Sequence, residues 1–176
     1  MDKQTWQFIN SFAPWFSALG TISAVIASLY LATKTRRLHI KVTASLNTLV
    51  QTGMPSRDYV TISAVNLGAR EVTITGIGWS LPFKRTKLFQ IPGAPEYSSK
   101  LPVRLRDGES ANFYVSAKPG LGDENWIPSV KDYLGTAHGL KVHFLRAQVH
   151  TSVGKTFYAR PDRHIRNLLT GKETDQ

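Results

Sequence analysis

Five histidines are the candidates for a metal centre or a proton shuttle in this 176-residue chain, which has no cysteine. His143 and His150 are the closest informative pair, and on a single strand residues seven apart would point to opposite faces. Neither sits in an H-E-x-x-H pattern, so the sequence implies no metal centre. The missing thiols exclude a disulfide framework, a thiolate zinc or iron–sulfur site and a cysteine nucleophile. Gly76-Ile77-Gly78 lacks the third glycine and following helix of a dinucleotide loop, and no G-x-x-x-x-G-K-[ST] phosphate loop occurs. No G-x-S-x-G elbow is present either. The expectation is a protein without a catalytic residue or cofactor, acting by binding rather than by chemistry.

The side chains left with recognition chemistry are cations interleaved with aromatic rings. Lys84, Arg85 and Lys87 form one group, Lys100, Arg104 and Arg106 a second, and Arg160, Arg163 and Arg166 a third. Phe83, Phe89, Tyr97 and Trp126 flank them. Arg104 and Arg106 alternate with Leu101, Val103 and Leu105, so on a strand they point away from the core. Such groups pair with anionic lipid headgroups, each cation contributing about 1 kcal/mol near the membrane surface. They also suit a nucleotide or nucleic acid, through phosphate pairing and base stacking. The lipid surface is the favoured partner.

Charge placement carries that preference. The formal charge is +10, yet Gln4 to Thr33 is a run of 30 residues without a charged side chain. Within it, Phe12–Ala32 is 21 residues long. At about 1.5 Å per residue, a helix of this length crosses a hydrocarbon core of roughly 30 Å. Trp6, Phe8, Phe12, Trp15 and Phe16 lie near one end and Tyr30 near the other, as rings do at membrane interfaces. A signal peptide would need a more basic start and a shorter apolar stretch, and a buried core helix would carry more polar positions. Lys34, Arg36 and Arg37 follow the span directly, which predicts an external N-terminus and a cytoplasmic C-terminal domain at the inner (plasma) membrane. Gly20, Ala24, Ser28 and Ala32 recur every four residues, a small-residue row that predicts self-association of the span into a homo-oligomer.

After Leu38 the period becomes two. Strands are predicted over Leu38–Asn47, Asp58–Asn66, Arg70–Leu81, Lys87–Ile91, Leu101–Leu105, Ser110–Ala117, Leu140–Val149 and Lys155–Arg160, divided by PGAP, RDGE, KPGLG and SVGK turns. Val72 and Ile74 share one parity, Ile77 and Trp79 the other, which places a bulge at Gly76. A helix is expected over Glu124–Leu134, and another over Asp162–Leu169 with Pro161 as its first residue. The latter carries Ile165, Leu168 and Leu169 opposite Arg163 and Arg166, a pattern fitting either a membrane-surface helix or docking on the domain. The fold class is therefore mainly β: an N-terminal transmembrane helix (1–35), a cytoplasmic antiparallel β-sandwich (36–161) and a short C-terminal helix and tail (162–176).

The pieces VTISAVNLGAREVTITGIGW and LPVRLRDGESANFYV resemble small immunoglobulin-like β-sandwich modules, in which an Asn-x-Gly turn leads into a strand and an L-x-x-G-[ES] turn precedes one ending in Phe-x-Val. The layout also resembles a loose class of uncharacterised bacterial and prophage-encoded proteins with one N-terminal span and a small cytoplasmic β domain. That resemblance implies a membrane-anchored, non-enzymatic interaction module with an unidentified protein partner, or a ligand-gated effector in phage defence or exclusion.

Overall fold

The computed structural model describes residues 3–35, 38–50, 56–93, 96–117, 126–136 and 138–171. The chain divides into two compact units, Met1–Arg37 and Leu38–Gln176. The first is a single helix, α1 (Lys3–Thr35), containing Pro14. Pro14–Thr33 is 20 residues of mean hydropathy 1.6, with none of the stretch buried. It is long and apolar enough to cross a membrane and is not a core helix. Its threonine hydroxyls are satisfied within the helix: Thr21 donates to the Ser17 carbonyl at 2.9 Å, and Thr33 to that of Leu29 at 2.9 Å. In hydrocarbon such internal partners remove the cost of an unpaired polar group.

The second unit is mainly β, with eight strands in two antiparallel sheets and a few short helices. One sheet has the order β1 (Ile40–Leu49), β2 (Arg57–Asn66), β6 (Ser110–Ser116). The other runs β4 (Leu88–Gln90), β3 (Val72–Ser80), β7 (Arg146–Thr151), β8 (Thr156–Ala159), with β5 (Val103–Leu105) also paired to β3. Its register slips between Ile74 and Gly76 against β7. This is the bulge that the parity change announces, and it returns Ile77 and Trp79 to the same inner face as Val72 and Ile74.

Both sheets feed one core. Val60, Ile62 and Phe113 from the first meet Ile74, Ile77, Trp79 and Val149 from the second, all fully buried. Each such side chain contributes roughly 1.5–3 kcal/mol of burial. Trp126 from α2 (Trp126–Leu134) packs on Trp79 with ring centres 5.2 Å apart. Asn66, also fully buried, ties three segments together: its amide donates to the Arg70 carbonyl at 2.9 Å and the Leu105 carbonyl at 3.1 Å, and its oxygen accepts from the Gly68 N–H. The Asn-x-Gly turn is thus held by its first residue. In the 106–109 turn Gly108 takes a positive φ of 75°, and the Glu109 carboxylate accepts from the Arg106 N–H at 2.8 Å.

Two expectations are corrected. Leu140–Val149 is not one strand: α3 (His138–Lys141) and a 3-10 turn (Val142–Phe144) precede β7. Pro161 is not the first residue of the last helix, because Asp162 caps α4 (Arg163–Thr170) and Pro161 bridges to Ala44 of β1. Of the two readings of α4, docking on the domain is the one seen, since Ile165 and Leu169 are fully buried in the core. The KPGLG turn and Glu124 lie outside the described residues.

Candidate functional site

The structure spreads the three basic clusters over the domain. Arg104 pairs with Thr73 near one end of β3, while Leu88, next to Lys87, pairs with Trp79 near the other. Six residues of strand separate those positions, about 20 Å. The third cluster lies on α4 and just before it, and the Asp162 cap of that helix is bonded to β1 in the opposite sheet.

Several of these cations already have partners. The Lys84 ammonium donates to the Tyr133 carbonyl at 2.6 Å and lies 4.7 Å from the centre of the Tyr133 ring. It anchors α2 while remaining exposed, as Arg85 and Lys87 are. Arg104 sits 3.2 Å and Arg106 4.0 Å from one oxygen of Glu71, at the surface, where such pairs add little stability. Arg166 is half-buried and donates to the Asp162 carbonyl at 3.3 Å, whereas Arg163 is exposed. Of the flanking rings, Trp126 is in the core and unavailable to a ligand, while Phe83 is exposed and packs edge-on against Phe144 at 5.1 Å.

On α1, Gly20, Ala24, Ser28 and Ala32 lie at four-residue intervals and are exposed, with open space where a Gly20 side chain would stand. Of the topology-determining flank, Lys34 falls in the last turn of the helix, and Arg36 and Arg37 lie outside the described residues.

Sequence reading misses a second arrangement. β4 and β5 share one edge of β3, and neither pairs with Thr75 or Gly76 between them. An open cleft of about 560 Å³ forms there, lined by Thr75, Gly76, Ile77, Phe89, Ile91 and Leu101, with Lys100 also in its wall. The Phe89 ring borders the cleft and stacks on His150, centres 5.2 Å apart and planes 30° from parallel. His150 Nδ1 is 3.0 Å from the Thr156 hydroxyl, and its Nε2 is buried without a partner among the described residues. Burial, and then the positive charge of Lys87, hold the His150 pKa below the ordinary 6.5. His143 lies apart, in the 3-10 turn, so the two histidines do not share an element. Among the described residues no group of three His, Asp or Glu comes together as metal ligands.

Comparison with protein families and with curated proteins finds no match to this chain.

Proposed function

We propose that the protein is a membrane-anchored, non-enzymatic interaction module: one transmembrane helix, self-associating through its small-residue row, carrying an immunoglobulin-like β-sandwich at the cytoplasmic face. The observation that carries this reading is Pro14–Thr33, apolar, of membrane length and with no part buried. The sandwich reading is supported by two antiparallel sheets sharing one core. Only Arg36–His39 separate α1 from β1, a connection reaching about 14 Å at most, so the domain works next to the lipid. The domain surface carries the exposed tips Leu67 and Val153 and the cations Arg104 and Arg106. We assign these to the headgroup layer, and the remaining surface to a protein partner.

Alkaline carbonate extraction of membranes containing the full chain tests the anchor. The protein should stay in the pellet, and a C-terminal tag should be cut by protease only in inside-out vesicles. Release into the supernatant overturns the anchor, and cutting in right-side-out vesicles overturns the orientation.

The second reading, a ligand-gated membrane effector in phage defence or exclusion that senses an anionic or nucleotide signal, draws support from the cleft beside Phe89 and the cations around it.

A further inference from the structure

The outward face of the five-stranded sheet has a composition unlike the rest of the domain. Register places Phe89, Gly78, Gln148 and Tyr158 in one row across four strands. Three strand spacings separate the two backbone positions, about 14 Å, and the Phe89 ring reaches across β3 to stack on His150 of β7. Phe89 is 68% and Tyr158 48% exposed, while Gln148 between them is fully buried. The neighbouring row holds Gly76, His150 and Thr156, with His150 under the Phe89 ring. The two outward glycines of β3 are covered by their neighbours: the Leu88 carbonyl and the Gln148 amide fill the space at Gly78, and His150 lies against Gly76. A Cβ on Gly78 would collide with the Leu88 carbonyl oxygen and stand 3.0 Å from Gln148 Nε2, so the strands pack closely there.

The charge is one-sided. None of the five strands contains an acidic residue. Arg104 and Arg146 lie on outward positions, and Lys87 and Arg160 continue the parity of Phe89 and Tyr158 at the strand ends. Glu71, just before β3, pairs with Arg104. Lys87, Arg146 and Arg160 have no ion-pair partner among the described residues. Lys87 is close enough to the stack to act on His150.

We propose that this face binds nucleobase–phosphate ligands: bases stack on Phe89 and Tyr158, one of them entering the cleft beside Phe89, and phosphates pair with Lys87, Arg146 and Arg160. This supplies a ligand class for the effector reading above and is independent of the anchor. Exposed rings on a sheet hold successive bases because every base has a π-face, and the surrounding cations neutralise the backbone. A lipid headgroup would use the cations but has no need of two rings in register. An acidic protein would likewise meet the charge without requiring two exposed rings on the same face. The ligand's source is either a single-stranded nucleic acid or a small cyclic or linear nucleotide, and both present the same chemistry.

The test uses the full chain in nanodiscs of zwitterionic lipid, with a labelled single-stranded oligonucleotide, a cyclic dinucleotide and inorganic polyphosphate as probes. One of the two base-bearing probes should bind and outcompete polyphosphate, and which one binds identifies the source. Phe89→Ala and Tyr158→Ala should each weaken binding roughly 5- to 150-fold. Phe89→Trp should restore it. Lys87→Gln and Arg146→Gln should each lower the slope of log affinity against log salt by about 0.7 for a single strand. Thermal unfolding of every variant checks that the domain is folded. Equal competition by polyphosphate, unchanged affinity in folded Phe89→Ala and Tyr158→Ala proteins, or no binding at low salt would each overturn the proposal. None of these outcomes touches the membrane anchor, which the extraction experiment decides separately.

Discussion

The Asp162 carboxylate accepts a hydrogen bond from the Leu46 N–H at 3.1 Å, joining α4 to β1 across 116 residues of chain. Its other oxygen accepts from the Ile165 N–H at 2.8 Å as the helix cap, and the Asp162 N–H donates to the Ala44 carbonyl at 3.0 Å. One side chain therefore caps a helix and completes a strand edge. Asp162→Ala removes both carboxylate bonds and should lower stability by about 2 kcal/mol in a denaturant titration. Asp162→Asn keeps a capping oxygen but turns an amide toward one donor, so its loss should be smaller. Equal stability of all three proteins would show that the contact contributes nothing.

The two outward glycines of β3, Gly76 and Gly78, should behave differently. A Cβ at Gly78 collides with the backbone of β4, whereas at Gly76 its nearest neighbour is His150 Cδ2 at 3.9 Å, an ordinary contact. Gly78→Ala should cost about 1–3 kcal/mol by displacing β4, with Gly76→Ala close to neutral. Matched melting temperatures for the two variants would contradict this.

Stability should depend on pH through His150. Its folded pKa lies below the ordinary 6.5, so as pH falls the unfolded chain takes up the proton first. Stability present above that ordinary value is lost below it, until the folded pKa is reached. Melting temperature should drop between neutral and mildly acidic pH, and His150→Phe, which keeps the ring stack, should flatten part of that drop. An unchanged pH profile in the variant would assign the effect to other groups.

Within α1, Gly20→Leu and Ala24→Leu fill the small-residue row and, on the proposed reading, should abolish association in a two-hybrid assay of the helix. Leucine at Ile22 or Ile26, off that row, should leave the signal intact. Survival of the signal in both row variants moves the contact to another face.

The elements most legible in the sequence are those whose pattern is local. The alternation in β1 and β2 reads directly as strands, and the exchange of parity between Ile74 and Ile77 locates the bulge because an extra residue flips every later side chain. Residues 140–144 mislead for the same reason: Leu140, Val142 and Phe144 alternate like a strand. In the fold only Val142 of these is buried, and with Leu145 it forms an i, i+3 pair facing the core from a tight helical turn. The basic clusters are visible in the sequence, but not that the Tyr133 carbonyl occupies Lys84 or that Glu71 holds Arg104. The row from Phe89 to Tyr158 draws on four strands in an order unlike the sequence, so no local motif encodes it.

The short strands along β3 have a further effect on how the protein behaves in a crowded cell. β4 and β5 are three residues each and leave a gap between them, while the edge of β1 is met at Ala44 and Leu46 by Pro161 and Asp162. An incoming chain finds no long run of free amides to extend along either of these edges. Short, interrupted or covered edges of this kind guard a β domain against pairing sheet to sheet with another copy of itself.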